Sequence, residues 1–270
     1  MGRLVMEVGT SRAYIDTFGA YVAAMFLGGS EVVKPNRDGS QTHGGIAVLA
    51  PFAGRVKGGR FGFEGEDFQL PTGKDGNAIH GFAKDVLWDA VEARRSSVVL
   101  KAALEGEGYP GKLEATITYA MGERSFSTDC VFENSGRGDA PVTVGFHPYF
   151  RARDWKIKPG SDVVKYELND GFFPTGRTDR FSFEGVCRET ALDDCFRTDG
   201  EIRLEREGGE LTLVRRGMPY FVVYDGKYAE GESVAIEPYT GLPDAYNNGI
   251  GLTVLAPGQS LQCGYDILAR

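Results

Sequence analysis

The stretch LEATITYAMGERSFSTDCVFEN, residues 113–134, decides the fold class of this chain. Apolar and polar residues alternate from Leu113 to Tyr119, and the same alternation returns over residues 125–133. Successive residues of a strand point to opposite faces of a sheet, so this period of two indicates strands with one buried face. Two adjoining segments of this kind predict antiparallel pairing.

Similar alternation appears around residues 209–215 and 219–225. Short polar and glycine-containing sequences that favour tight reversals separate the strand-like segments. They are Glu107-Gly108, Asn134-Ser135-Gly136, Asn169-Asp170-Gly171, Asp199-Gly200 and Asp225-Gly226. Glycine fills 38 of 270 positions, about twice its usual share, which suits a chain with many corners. The sequence therefore predicts an all-β fold, a large antiparallel β-sandwich with little helix.

One segment, Asp85 to Arg95, fits two structures. Its composition allows a helix, but Trp88, Ala90 and Glu92 would also share one face of a strand. The pattern alone leaves both alternatives open.

The length and composition predict a single domain over residues 1–270. The chain is 41% hydrophobic, which is enough for a large core, and all-β proteins of this size often form one domain. No proline- or serine-rich linker divides the sequence, and no fixed repeat is visible.

Charge and hydropathy exclude several classes of partner. The net charge is −8 and the basic residues form no stripe, which argues against nucleic-acid binding. The apolar run Tyr21 to Leu27 is too short to span a bilayer and too far from the start to be a signal peptide. We expect a soluble, cytoplasmic protein with no membrane partner.

The cysteines and glycines give no support for a metal or a cofactor. Cys130, Cys187, Cys195 and Cys263 include no CxxC pair, although Cys187 and Cys195 could meet across a loop. There is no GxxxxGK[ST] loop and no HExxH helix. We expect neither a zinc site nor a nucleotide cofactor.

Two of the three histidines lie in stiff segments bounded by turns, NAIHGF at 77–82 and GFHPYF at 145–150. Histidine exchanges protons near neutral pH, so His80 and His147 are candidates for acid/base chemistry. Pro148 restricts His147 to extended backbone. A purely structural, hydrogen-bonded role is the alternative for each histidine.

Arg55 and a pair of aspartates are candidates for binding a polar ligand. Arg55 follows Gly54, where the backbone can approach a ligand closely, and its guanidinium could clamp hydroxyls or an anion. An ordinary surface arginine is the alternative. Asp193 and Asp194 are adjacent, so at most one of them points inward from a strand.

A third cluster, AIEPYTGLPDAYNNG at 235–249, supplies a candidate base. Glu237 follows an apolar strand and precedes Pro238, which keeps it extended at a strand end. Partial desolvation there would raise its proton affinity. Pro243, Asp244 and Asn247 could form a loop that orients a ligand or this carboxylate. A glutamate in a surface turn is the alternative.

Together these segments resemble the aldose 1-epimerase (mutarotase) family, which interconverts the anomers of free sugars. The resemblance follows the family's order along most of the chain. It comprises GAYVAAMFLGGSEVVKP, AGRVKGGRFGFEGEDFQL, NAIHGF with Trp88, ENSGRGDAPVTVGFHPYF, FPTGR, EPYTGLPDAYNNG and LAPGQSLQCGYDI. Each motif is weak alone, but together and in register they are specific.

The resemblance implies an isomerase with the galactose mutarotase-like supersandwich fold, a free sugar as substrate and no cofactor. Glu237 would be the base at O1, His147 the acid at the ring oxygen, and His80 an assisting hydrogen-bond donor. Sugar hydroxyls and ring faces would be bound by further side chains. These are Arg55, Asn77 and Asp193 for hydroxyls, and Phe146, Phe150 or Tyr239 for stacking.

The sequence departs from the galactose enzymes at Pro238-Tyr239, where those enzymes commonly carry Thr-Gln. The preferred sugar and the oligomeric state therefore stay open. Arg55, Lys57 and Arg60 motivate an anionic sugar, such as a sugar phosphate, as an alternative substrate. A non-catalytic sugar-binding module and a glycosidase are further alternatives, although the common glycosidase mechanisms need two carboxylates.

Overall fold

A computed structural model describes residues 2–225 and 231–270. Strands account for 56% of the chain and helices for 5%, which confirms the predicted all-β class. The strands are numbered β1 to β25 along the chain. Gly226 of the predicted Asp225-Gly226 reversal lies outside the described residues.

The larger sheet contains eleven strands within the described residues. They are β1 (Arg3–Val8), β2 (Ser11–Asp16), β3 (Tyr21–Leu27), β4 (Ser30–Val33), β5 (Ile46–Leu49), β15 (Gly145–Arg151), β17 (Val163–Leu168), β18 (Pro174–Phe181), β19 (Asp193–Arg197), β22 (Tyr220–Tyr224) and β23 (Ser233–Tyr239). Their order is β1-β2-β3-β4-β15-β23-β22-β19-β17-β18, with β5 paired to β3 and β15. Every pairing is antiparallel.

The second sheet has eight strands in the order β10-β11-β12-β13-β25-β21-β20-β16. Their bounds are β10 (Asp89–Ala93), β11 (Ser97–Leu104), β12 (Leu113–Met121), β13 (Ser125–Asn134), β16 (Trp155–Pro159), β20 (Ile202–Arg206), β21 (Gly209–Arg216) and β25 (Ser260–Ala269). The stretch that decides the fold class forms β12 and β13, and these strands pair along their whole length.

Three small two-stranded ribbons complete the sheet structure of the described chain. They are β6 (Arg55–Val56) with β9 (Ala78–Ile79), β7 (Arg60–Phe63) with β8 (Glu66–Gln69), and β14 (Ala140–Val142) with β24 (Thr253–Leu255). The helices are α1 (Ala245–Asn248) and three 3₁₀ turns at Gln41–His43, Lys57–Gly59 and Ala83–Asp85. No helix in the described ranges is long and apolar enough to cross a membrane.

The ambiguous segment at 85–95 forms a strand, β10, after a 3₁₀ turn, so the helical alternative is wrong. Trp88 is fully buried beside this turn, and its indole nitrogen donates to the Ala83 carbonyl at 2.9 Å. Cys187 and Cys195 are both free thiols.

The core lies between the two large sheets. It draws apolar residues from strands of both sheets, and the rings of Phe146 on β15 and Tyr265 on β25 meet with centroids 4.9 Å apart. The contiguous core extends from Met6 to Ile267. The opposite face of the larger sheet does not contact the second sheet.

A substitution at Phe146 tests whether the core lies between the two large sheets, because this ring is fully buried there. We expect Phe146→Ala to lower the free energy of unfolding by about 3–5 kcal/mol through lost burial and a cavity. Chemical denaturation measures this change. The control Val254→Ala, at an exposed position on β24, should stay within about 0.5 kcal/mol of the wild type. Equal effects in both variants would contradict the assignment of the core.

Candidate active site

The site begins with the alternation of side chains along β23. Val234 and Ile236 belong to the inter-sheet core, whereas Glu237 and Tyr239 project from the opposite face. The sheet is covered on both sides here, so Glu237 is only 3% exposed. The strand therefore buries a carboxylate on the face that does not contact the second sheet.

The register between β15 and β23 brings His147 to Glu237. Gly145 pairs with Tyr239 and Tyr149 with Ala235, so the intervening register sets His147 opposite Glu237. His147 Nε2 lies 3.4 Å from Glu237 Oε1. The Tyr149 ring stacks on the His147 ring from the same strand face, with centroids 4.7 Å apart. Its position two residues after His147 would have identified Tyr149 from the sequence.

His80 reaches the same point from the β6–β9 ribbon. Its backbone has a φ of 62°, and its amide donates to the Gly54 carbonyl at 2.8 Å. Gly81 is required next to it, because a Cβ there would lie 2.1 Å from the Ala50 carbonyl oxygen. The centroids of the His80 and His147 rings are 5.7 Å apart.

These side chains line a cavity of about 540 Å³. Six of the residues predicted for the site contribute to its wall: Arg55, His80, His147, Asp193, Glu237 and Tyr239. A volume of this size suits a small organic ligand. The described wall also includes polar and apolar residues that the sequence did not single out, such as Thr42, Lys74, Lys84, Phe172 and Val222.

Burial dominates the electrostatics of Glu237, His147 and His80. It raises the pKa of the Glu237 carboxyl well above its usual value, and the hydrogen bond from Tyr239 opposes that rise. Burial also lowers the pKa of His147 to about 3 and that of His80 well below its usual value. Both Nδ1 atoms of these histidines are buried without a hydrogen-bond partner in the described residues. Each histidine thus keeps one buried, unsatisfied polar atom beside the cavity.

Tyr239 contacts the candidate base directly. Its hydroxyl donates to Glu237 Oε2 at 2.8 Å, and both residues are buried. A hydrogen bond to a carboxylate favours its charged form. The sequence suggested Tyr239 only as a stacking surface, so its contact with the base is a feature that the sequence missed.

The two adjacent aspartates have different environments. Asp193 lines the cavity beside the catalytic candidates. Asp194 makes an ion pair with Lys165, with Oδ1 and Nζ 2.9 Å apart. The structure therefore brings Asp193, and not Asp194, to the wall that Glu237 shares.

Arg55 and Asn77 are linked through Asp75. Arg55 Nε lies 3.0 Å from Asp75 Oδ2 on the cavity wall. Asn77 is outside the lining, where its side-chain oxygen accepts from the Gly58 amide at 2.9 Å and its amide nitrogen contacts Asp75 at 3.4 Å. Asn77 thus supports the residues that hold Arg55.

Several candidates lie away from the cavity. Phe146 and Phe150 are fully buried in the inter-sheet core, so the expectation that they stack on a ligand is wrong. Asp244 accepts from the Lys57 amide at 2.9 Å, and Asn247 donates to the Arg60 carbonyl. These two residues fasten the loop to the β6–β7 region, while Pro243 alone of this group lines the cavity.

Within the described residues, no group of three or more His, Cys, Asp and Glu side chains is arranged to hold a metal ion.

Comparison with known proteins identifies the family. The aldose 1-epimerase family model matches residues 3–267. This chain belongs to the aldose 1-epimerase family. It is 26% identical to the uncharacterized protein YihR of Escherichia coli over 98% of this chain and 92% of that protein. It is also 26% identical to the galactose mutarotase of Rattus norvegicus, over 49% of this chain and 39% of the mutarotase.

The structures of the family agree in fold. A galactose mutarotase-like protein from Clostridium acetobutylicum superimposes with a TM-score of 0.85 at 15% identity, covering 98% of this chain and 94% of the other. The predicted galactose mutarotase-like sandwich is thereby confirmed.

The hydrogen bond from Tyr239 to Glu237 can be tested by titration. Tyr239→Phe removes a donor that favours the charged carboxylate, so the pKa of Glu237 should rise further. The direction follows because a hydrogen bond to a carboxylate favours its charged form, and this bond is lost in the variant. Carboxyl ¹³C NMR measures the shift. Tyr265→Phe, in the inter-sheet core, is the control and should leave the Glu237 titration unchanged.

Proposed function

We propose that this aldose 1-epimerase family member interconverts the α and β anomers of a free, neutral aldose. One observation carries the proposal: Glu237 and His147, a potential base and a potential acid, lie 3.4 Å apart in the wall of a ligand-sized cavity. Anomer exchange needs one group that removes a proton and one that supplies it. The name of the related rat galactose mutarotase supports the same reaction.

Ring opening would use the pair as follows. Glu237 removes the proton from the O1 hydroxyl while His147 protonates the ring oxygen. The C1–O5 bond breaks, its electron pair goes to O5, and a carbonyl forms at C1. Rotation about the C1–C2 bond then presents the other carbonyl face. During reclosure His147 takes back the O5 proton and Glu237 returns its proton to O1, so both residues recover their starting states.

The pair holds one proton in the working enzyme. Burial opposes the charge on either side chain, whereas their proximity favours the ion pair of carboxylate and imidazolium. The neutral pair and the ion pair contain the same number of protons, so pH does not choose between them. Hydroxyl groups of a bound sugar can stabilise the ion pair by donating to the carboxylate, with Tyr239 donating to the other oxygen.

The remaining wall residues would orient the sugar. Arg55 and Asp193 offer a donor and an acceptor to hydroxyls, and His80 lies against His147. A pocket with apolar walls and a few polar groups is the usual arrangement for binding a small ligand. Arg55 is held in position by Asp75, which limits its freedom to move with the ligand.

An anionic sugar has less support as the substrate. Arg55 faces the cavity but is paired with Asp75. Arg60 donates to Gln69, and neither Arg60 nor Lys57 contributes to the cavity wall. Of the three cations that motivated a sugar phosphate, only Arg55 lines the cavity, where it is paired with Asp75; Lys74 and Lys84 also line it, and Lys84 is paired with Asp85.

Removal of either member of the pair tests the proposal. We expect Glu237→Gln and His147→Asn to slow anomer exchange by about 10²–10⁴-fold, the usual contribution of a general acid or base. Polarimetry or NMR follows freshly dissolved α-glucose and α-galactose with and without protein. Glu133→Gln, at an exposed position on β13, is the matched control and should retain the wild-type rate.

The outcomes separate the alternatives. Near wild-type exchange in both variants would contradict the roles of Glu237 and His147. Sugar binding without exchange in the wild type would favour a binding module. Inhibition by inorganic phosphate with turnover of phosphorylated sugars would favour an anionic substrate, and release of sugar from a nitrophenyl glycoside would favour a glycosidase.

A further inference from the structure

An exposed aromatic residue stands at the mouth of the proposed catalytic cavity. Phe172 lines this cavity, yet 47% of the residue is exposed. Its backbone has a φ of 62°, a region that large side chains rarely adopt. Strained residues of this kind persist only where the surroundings hold them, and they concentrate at functional sites.

The turn between β17 and β18 holds Phe172 outward. The Phe172 amide donates to the Asn169 carbonyl at 2.9 Å, and Asn169 Oδ1 accepts from the Gly171 amide at 2.9 Å. The next residue, Phe173, is buried. Of two adjacent phenylalanines, the turn therefore buries one and presents the other beside the cavity.

A second cavity of about 360 Å³ adjoins the first. Four residues belong to the walls of both: Leu168, Phe172, Asp193 and Tyr224. The remaining described wall of the second cavity consists of Asn169, Ala191, Leu192 and Asp194. A ligand longer than one sugar ring can therefore pass Phe172 and Asp193 without leaving the protein surface.

The chemistry of the second cavity suits a neutral sugar ring. The Phe172 ring and Leu168 offer an apolar surface for the C–H face of a sugar, and Asp193 and Asp194 offer acceptors for its hydroxyls. Arg55 packs on the Phe172 ring, with its guanidinium carbon 5.6 Å from the ring centroid. This contact links the second cavity to the wall around Glu237.

We propose that the second cavity is a second subsite. It takes the next ring of a neutral disaccharide whose reducing ring reacts at Glu237 and His147. The assignment rests on the proposed anomer exchange. The strained, exposed position of Phe172 serves binding, because an aromatic ring at this position contributes little to burial of the core.

The experiment compares each monosaccharide that is turned over with disaccharides that carry it as the reducing ring, such as glucose with maltose, cellobiose and lactose. We expect kcat/KM for at least one disaccharide to exceed that for the monosaccharide of its reducing ring by about tenfold. One good aromatic contact provides a gain of this size. NMR exchange measurements at several sugar concentrations give both constants.

Two variants test whether the gain in kcat/KM comes from the Phe172 ring. Phe172→Gly should abolish the advantage of the disaccharide over the monosaccharide, and it should not lower the melting temperature, because glycine accepts this φ without strain. Phe172→Tyr retains an aromatic face and should keep the advantage.

Failure of the subsite and failure of the catalytic function give different results. Acceleration of monosaccharides without any preference for a disaccharide would overturn the subsite and leave the anomer exchange standing. Equal losses for both sugars in Phe172→Gly, together with a lower melting temperature, would also overturn it by assigning the ring a structural role. No acceleration of any sugar would overturn both proposals.

Discussion

The register between β15 and β23 is the constraint on which the rest of the site depends. Pairing of Gly145 with Tyr239 fixes which face of each strand carries His147 and Glu237. Because strand side chains alternate, a slip of one residue would turn Glu237 into the inter-sheet core and bring Ile236 to the cavity. The second sheet prevents such a slip, since it needs the apolar face of both strands.

Burial on both sides of the larger sheet sets the chemistry of the pair. One side is covered by the second sheet, and the other by the β6–β9 ribbon and its neighbouring loops, which carry Arg55 and His80. This cover lowers the proton affinity of the histidines and raises that of Glu237. The same desolvation strengthens each hydrogen bond that a ligand makes in the cavity, so one cause affects the proposed acid, the proposed base and ligand binding.

The sequence predicted the parts of the structure that depend on local patterns. Alternation gave the sheets and the sandwich, and the family resemblance named the residues that meet in the cavity. It did not distinguish Asp193 from Asp194, or Phe172 from Phe173, because the choice between neighbours depends on strand register and turn geometry. Phe146 was misread as a ligand contact for the same reason. Its face is fixed by Tyr265, which lies more than a hundred residues away along the chain.

Two prolines adjust the backbone where the pair meets. Pro148 follows His147 and Pro238 follows Glu237, so both catalytic candidates are restricted to extended backbone by their own sequence. Neither proline can donate a ladder hydrogen bond. His147 instead pairs with Ala47 on β5, and Glu237 with Val222 on β22. Each residue is thus held by the strand on the far side of its own strand, which is β5 for His147 and β22 for Glu237. His147 and Glu237 can therefore face each other where the ladder between β15 and β23 is interrupted and still keep their orientation, and this explains how prolines are tolerated inside a buried sheet.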